Sequence, residues 1–338
     1  MPNVETSHPA LRPEFLKVDM ESIGNWWMWA GFAVFVVFAC AVDLLVLQKK
    51  GSDRVSVGQA LRWSALWVAL ALVFNVILWW YLDGQAGREI ANTKAAQFFT
   101  GYLIEKSLAV DNIFVFLMLF TYFAVPAELQ KRVLILGVIG AIVLRAAMIL
   151  VGAWLIKEFH WVLYLFGVFL LVTGIKMLLF ANASSDLEKN PILKWMRGHM
   201  NLTSDFDGEK FWVTRQHVRF YTPLFVVMIL IGITDVVFAV DSIPAIFAIT
   251  DDPFIVMTSN IFAILGLRAM YFLLADLKDR FHLLTYGLGV ILMFVGTKML
   301  VVDWVKIPVG ISLTVVAFIL VVSVIASLLT KPKETLKT

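Results

Sequence analysis

Four acidic residues lie inside long apolar segments of this 338-residue chain. Glu105 and Asp111 are six positions apart in EKSLAVD, and Asp235 and Asp241 are six apart in DVVFAVD. Placing an ionised group at membrane depth costs roughly 2.5–3.5 kcal/mol of free energy on insertion scales. A carboxylate at that depth is therefore expected to have a counter-ion or a functional role. Carboxylate oxygens suit hard or borderline divalent cations such as Mg²⁺, Ca²⁺ and Mn²⁺. The pattern therefore predicts a site for a divalent cation.

A proline is expected to shape this site. A six-residue step turns a regular helix by about 240°, so the two acids of one helix share no face unless the helix is locally broken. Pro244 removes the hydrogen bond to the carbonyl of Val240, next to Asp241, which predicts such a break and a free oxygen. Asp43 is interpreted as a ligand or proton relay, with a purely structural role as the alternative. The predicted metal ligands are Asp111, Asp241, Glu105, Asp235, Asn112, Asn75 and Asp43.

The composition indicates how these groups are placed. Of all residues 60% are apolar and 16% are charged, and the mean hydropathy is +0.85. These values exclude a soluble globule, a disordered chain and a basic nucleic-acid-binding protein. Nine apolar runs are each long enough to cross a hydrocarbon layer of roughly 30 Å as a helix. Since backbone in lipid must satisfy its own hydrogen bonds, we expect an all-α polytopic bundle of about nine transmembrane helices. The runs lie near 26–47, 60–82, 96–125, 132–156, 160–181, 222–249, 253–275, 281–302 and 308–329.

The distribution of lysine and arginine predicts the orientation. Loops on the side of the N-terminus carry six of these residues, and the opposite loops and the C-terminal tail carry seventeen. Positive residues concentrate on the cytoplasmic side, so the N-terminus is expected outside and the C-terminus inside. The connection 182–221 then lies in the cytoplasm as a linker, with a short interfacial helix at Trp195 and Met196.

Two parts of the chain resemble each other. Residues 166–178 read FGVFLLVTGIKML and residues 288–300 read LGVILMFVGTKML, with seven of thirteen positions identical. Leu144-Arg145-Ala146 likewise matches Leu267-Arg268-Ala269. Spans three to five therefore correspond to spans six to eight, and because three is odd the second unit enters from the other side. This is an inverted-topology repeat, typical of secondary transporters.

The repeat divides the chain into six segments. They are an extracytoplasmic N-terminal segment (1–25), two helices with an outer loop (26–95), the first three-helix repeat (96–181), the linker (182–221), the second repeat (222–302), and a ninth helix with a cytoplasmic tail (303–338).

A two-fold relation between the repeats predicts where the acids lie. Asp111 is expected to approach Asp241 near the middle of the membrane. Glu105 and Asp235 are then displaced toward opposite faces, where they can pass protons between this pair and water. These positions place the centre of the metal site at Asp111 and Asp241, whereas Glu105 and Asp235 are expected to serve both as metal ligands and in proton coupling.

Two arginines occupy equivalent positions in the repeats. Arg145 and Arg268 are interpreted as internal counter-ions for the acids, with a gating role as the alternative. The lone Cys40 excludes an intrachain disulfide. Because the sequence contains no metalloprotease motif, phosphate-binding loop or nucleophile motif, we expect no enzymatic activity.

Three strings also identify a family resemblance. EKSLAVDNIFVF (105–116), GAIVLRA (140–146) and ITDVVFAVDSIPA (233–245) resemble the signatures of the TerC family of integral membrane proteins. In length, nine-span layout and N-terminal extension the chain is most similar to the bacterial Alx branch of that family. The resemblance covers about 26–329. It implies a fold related to the lysine-exporter superfamily and a role in Mn²⁺ efflux.

The expected function is secondary-active export of Mn²⁺ across the bacterial cytoplasmic membrane by proton exchange. Mn²⁺ is then a transported substrate, and no cofactor is expected. The expected partners are the divalent metal ion and the lipid bilayer, without nucleic acid. The sequence leaves open homo-oligomer formation and the choice among Mn²⁺, Mg²⁺, Ca²⁺ and Fe²⁺. The alternative function is a membrane-protein assembly or stress-response factor without transport activity.

Overall fold

The computed structural model describes residues 22–48, 57–159, 161–180, 191–275, 283–305 and 307–330. Each apolar run found in the sequence is helical in the residues described. The seventh run forms two helices, and one further helix lies in the connection between the two halves. The helices are α1 (Trp26–Gln48), α2 (Val57–Ala86), α3 (Arg88–Tyr122), α4 (Ala127–Glu158), α5 (Val162–Phe180), α6 (Pro191–His199), α7 (Pro223–Phe247), α8 (Pro253–Ile264), α9 (Leu267–Ala275), α10 (Leu284–Leu300) and α11 (Val309–Leu329).

By length and composition, five helices in the described part of the chain can cross a membrane: α2, α4, α5, α7 and α11. A sixth span results if α8 and α9, which meet at a bend of 42°, are counted together. The apolar parts of α1 and α10 are shorter, at Trp26–Val42 and Leu284–Leu300. The long helix α3 is continuous, but its apolar sequence is interrupted by the charged residues Glu105 and Lys106. The chain is thus a polytopic helical membrane protein, whereas the count of nine spans stays a prediction.

The connection between the halves has more structure than a linker. Helix α6 includes Trp195 and Met196, where the short helix is predicted, and buries Met196. A hairpin that the sequence analysis missed follows, with β1 (Trp212–Arg215) antiparallel to β2 (Val218–Tyr221). Its two-residue turn has a positive φ at both positions without glycine, so it lacks the usual sequence signal for a hairpin.

Helices α5 and α10, which contain the two similar strings, pack against each other through glycines. A Cβ added at Gly174 would lie 2.7 Å from the carbonyl oxygen of Gly289, and one added at Gly296 would lie 2.8 Å from that of Gly167. Later residues of α5 thus meet earlier residues of α10, so the helices are antiparallel. Only glycine permits such a close approach of two backbones.

The predicted break at Pro244 is wrong. Helix α7 continues through Pro244 and ends at Phe247. A proline this close to the end of a helix removes one backbone hydrogen bond without interrupting the remaining turn. The break lies instead at Gly266, between α8 and α9, where φ is +83°. Trp67 of α2 packs so closely there that an added Cβ would lie 2.5 Å from its ring.

Candidate functional site

A buried arginine on α4 connects four helices. Arg145 is 1% exposed, and its guanidinium forms an ion pair with Glu105 of α3. Its Nη2 lies 3.6 Å from Oδ1 of Asp235 on α7. Its Nη1 donates hydrogen bonds to Oγ of Ser242 at 3.3 Å and to Oδ1 of Asn260 at 3.0 Å. We call these five residues the Arg145 cluster.

The Arg145 cluster contains two acidic side chains and one basic side chain. Glu105 is fully buried and Asp235 is 4% exposed, so one guanidinium faces two carboxylates. Nδ2 of Asn260 donates a further hydrogen bond to Oε2 of Glu105 at 3.3 Å. When both carboxylates are ionised the cluster has a net charge of −1, which one added proton neutralises.

The predicted separation of Glu105 and Asp235 toward opposite faces is wrong, because both reach the same arginine. The physical reason is the cost of leaving a charge uncompensated in a low-dielectric interior, which is several kcal/mol per ion. Helix α7 packs against both α3 and α4. The long side chain of Arg145 can therefore contact acids from both halves.

Several polar atoms of the predicted ligands and of Arg145 are buried without a hydrogen-bond partner. They include both side-chain polar atoms of Asn112, Oδ1 of Asn75, Oδ2 of Asp235 and Nε of Arg145. Native proteins leave few buried polar atoms unpartnered, so such groups call for an explanation. Amide and carboxylate oxygens in this state are free to coordinate a cation.

Asp241 has other neighbours than Asp235, although both are on α7. It is half-buried and accepts a hydrogen bond of 3.3 Å from the Thr173 hydroxyl on α5. Asp235 faces Arg145 on α4 instead. This agrees with the expected 240° turn between the two acids, which an unbroken helix cannot remove.

The remaining predicted residues are only partly described. The backbones of Asp111 and Asp43 belong to α3 and α1, but their side chains lie outside the described residues. Arg268 is the second residue of α9 and is 3% exposed. Within the described residues, no group of three histidine, cysteine, aspartate or glutamate side chains could hold a metal ion. The full predicted ligand set is therefore not seen together.

Sequence reasoning missed three polar residues at this site. Ser242 and Asn260 belong to the Arg145 cluster, and Thr173 contacts Asp241. Asn260 is a lone amide in the apolar string FIVMTSNIFAI. The same signal singled out Asn75 and Asn112, so Asn260 could have been found by it.

Comparison with known proteins shows the family of this chain. The model of the family described as "Integral membrane protein TerC family" matches residues 90–335. The chain belongs to the TerC family. The match includes every residue of the Arg145 cluster, and it confirms the resemblance seen in the sequence.

The TerC-family relatives share most of their length with this chain. Proteins named "Putative membrane-bound redox modulator Alx" from Shigella flexneri and from Escherichia coli (strain K12) are each 55% identical over 306 residues. These matches cover 90% of this chain and 96% and 95% of the two relatives. A protein from Myxococcus xanthus named "Uncharacterized membrane protein STKORF319" is 46% identical over 308 residues, covering 91% of this chain and 94% of the relative. No solved structure matches the chain significantly.

Proposed function

We propose that this TerC-family protein exports Mn²⁺ from the cytoplasm in exchange for protons. The observation that carries the proposal is the Arg145 cluster, in which two buried carboxylates from different halves share one guanidinium. Ionisable groups inside a membrane protein mark ion pathways and proton relays, because their burial otherwise only costs free energy. Oδ2 of Asp235 and the amide of Asn112 are unpartnered oxygen donors for a hard or borderline cation.

The membrane potential requires the export of a divalent cation to be coupled. Moving a charge against the potential costs about 2.3 kcal/mol per 100 mV, or about 4.6 kcal/mol for two charges. An uncoupled carrier would therefore admit Mn²⁺ to a cell that is negative inside. Exchange for two protons makes the cycle electroneutral. Buried carboxylates suit such exchange, since burial favours their neutral form and a bound cation favours their charged form.

This proposal assigns metal binding and proton transfer to the acidic residues. Asp111 and Asp241 bind the metal, and the further oxygen ligands are those of Asn112, Asn75, Asp43, Glu105 and Asp235. Glu105 and Asp235 carry the protons, and Arg145 balances whichever of them is ionised. Arg268 serves as the counter-ion of the second half.

The proposed architecture has nine spans and an inverted repeat in the bacterial cytoplasmic membrane, with the N-terminus outside. Its support is the antiparallel packing of α5 and α10, in which each glycine lies near a glycine from the other repeat. Reciprocal contacts of this kind are what a two-fold axis perpendicular to both helices produces. If the helices cross the membrane, that axis lies in the membrane plane.

A cell assay tests the site. Asp111→Asn and Asp241→Asn each remove one charge at nearly unchanged volume, so both are expected to abolish protection from manganese and to raise total cellular manganese after a load. Asp251→Asn changes an exposed aspartate between α7 and α8 and serves as the matched control. All three variants must reach wild-type abundance in the membrane. Full protection by both site variants would contradict the assignment.

Transport by the purified protein in liposomes tests the coupling. With a pH dye inside the vesicles, a Mn²⁺ gradient is expected to drive protons in the opposite direction, and Asp241→Asn should lose this signal. Manganese flux without a pH change would overturn the coupling but not the metal site. The complete absence of flux would favour the alternative, an assembly or stress-response factor.

The name of the Alx relatives raises a redox function. A redox modulator needs a group that changes oxidation state, and Cys40 is the one cysteine of this chain. The chain therefore has no internal dithiol couple. No feature of the described residues favours that function over transport, and we retain transport as the proposal.

A further inference from the structure

Lys106 on α3 directs its ammonium at the backbone of another helix. Its Nζ donates hydrogen bonds to the carbonyl oxygen of Ala263 at 3.1 Å and to that of Leu265 at 3.4 Å. Ala263 belongs to the last turn of α8, and Leu265 follows its last residue. The ammonium is thus bound by main-chain oxygens rather than by the carboxylate of neighbouring Glu105.

These carbonyls need a donor because the helix stops there. The last four carbonyls of a helix have no partner within it, and Gly266, with φ of +83°, turns the chain away from its helical path. The C-terminal end of a helix also carries a partial negative charge that favours a cation. The C-terminal end of α8 therefore offers a cation two carbonyl oxygens, those of Ala263 and Leu265.

Two consecutive residues of α3 form hydrogen bonds with α8. Glu105 accepts a hydrogen bond from Asn260 at 3.3 Å, and Lys106 donates to the end of the same helix. Asn260 in turn accepts from Arg145. These contacts all act on the C-terminal half of α8, which contains Asn260.

We propose that the α8–α9 break is a cation site of the primary-ammonium class, made by the carbonyls of Ala263 and Leu265 and filled by the ammonium of Lys106. Lys106 is then a positioning residue, which acts on the Arg145 cluster by holding α8 in register. The site is distinct from the manganese site, and the inference does not depend on which ion the protein transports.

The surroundings of Lys106 allow a free amine to replace it. A cavity of about 420 Å³ lies beside it, lined mainly by aliphatic side chains such as Leu103, Met270 and Leu320. Lys106→Ala removes the aliphatic stem and the ammonium, and it joins the vacated space to this cavity. An alkylammonium ion with a short chain then has oxygens for its charge and apolar contacts for its tail.

The test measures thermal unfolding of the purified full-length protein in detergent. Lys106→Ala is expected to lower the unfolding midpoint by several degrees, and n-propylammonium to restore it with a saturable concentration dependence. Propanol, which has a similar shape without the charge, should not restore it. The wild-type midpoint should not respond to either compound, because its site is already filled.

Lys106→Met is the matched control. It keeps the volume of the stem without the charge, so it is expected to lose stability as Lys106→Ala does but to resist rescue by the amine. Stability of Lys106→Met equal to wild type, absence of any loss in Lys106→Ala, or equal rescue by propanol would each overturn the proposal. If Lys106→Ala does not fold, it is purified in the presence of each compound; recovery with the amine alone supports the site, and recovery with neither overturns it.

A liposome assay keeps this inference apart from the proposed function. If the wild type transports Mn²⁺, Lys106→Ala should lose flux and n-propylammonium should restore it. If the wild type shows no flux, manganese export fails as the function, and the thermal rescue still decides the ammonium site.

Discussion

The two similar halves of the chain are equivalent at one interface and differ at another. At the α5–α10 interface, Gly174 and Gly296 occupy matching positions, and a Cβ added to them would lie 2.7 and 2.8 Å from the opposite backbone. For the second matching pair, Gly167 and Gly289, the distance to the facing glycine carbonyl is 3.1 Å in both cases. The two similar strings thus contact each other reciprocally at this interface.

Helix α4 and its counterpart in the second half do not share this symmetry. Helix α4 is continuous through Arg145, whereas the matching segment is divided into α8 and α9. The strings are VLRA at 143–146 and GLRA at 266–269. Valine is strongly disfavoured at positive φ and glycine is not, so the exchange of Val143 for Gly266 allows the break in one half alone.

This difference separates a tightly packed interface from a polar one. Backbone-to-backbone packing at the α5–α10 interface leaves little freedom, while the polar residues gather where the halves differ. Arg145 contacts acids from both halves. In the proposed transporter, such inequality between repeats is what opens the site to one side at a time.

The largest effect is expected at the asymmetric cluster. Arg145→Met leaves Glu105 and Asp235 buried without their shared counter-ion, and removing one partner of a buried ion pair costs about 3–5 kcal/mol. The free energy of unfolding, measured in detergent, should fall by this amount. Adding Glu105→Gln to Arg145→Met should recover part of the loss, because one uncompensated charge is removed. Equal stability of the wild type and Arg145→Met would show that the cluster carries no such charge.

The second-largest loss of stability is expected at the break at Gly266. Gly266→Ala adds a left-handed strain of about 1–2 kcal/mol to a clash with Trp67 that costs about 1–3 kcal/mol. The control is Gly140→Ala in the unbroken helix α4, where an added Cβ meets nothing within 4 Å. That control should gain about 0.5–1 kcal/mol, since alanine favours a helix over glycine. If the two substitutions changed the unfolding midpoint similarly, the backbone break would not distinguish α8–α9 from the continuous helix α4.

The sequence predicted the helices well for a clear physical reason. An apolar run of some 20 residues has no other stable form in a bilayer than a helix, and the bounds of α1 and α11 lie within a residue or two of the predicted runs. The similarity of the glycine-containing strings also pointed to the segments that pack together. Helix positions and glycine-containing strings depend on local composition, which can be read directly from a sequence.

The site was harder to predict because it depends on distances between helices. The break was expected at Pro244, yet Gly266 has the required backbone angle and the contact with Trp67. The φ angle of a glycine cannot be deduced from the apolar sequence around it. Likewise, the meeting of Glu105 and Asp235 depends on the reach of Arg145 from a third helix. Periodicity along one helix contains no information about such a reach.

The smallest expected effects test the symmetric interface. Gly174→Ala and Gly296→Ala each push a methyl group against backbone, and overpacking of this kind costs about 1–3 kcal/mol. Because their distances to the opposite backbone are nearly equal, the two losses in unfolding free energy should also be nearly equal. Gly167→Ala and Gly289→Ala, with 3.1 Å to the facing carbonyl, should each lose less and again match each other. Gly232→Ala in α7 has open space around its Cβ and serves as the control. Unequal losses within either pair would show that the two helices do not pack reciprocally at the α5–α10 interface. The contrast between this interface and the Arg145 cluster would then be wrong.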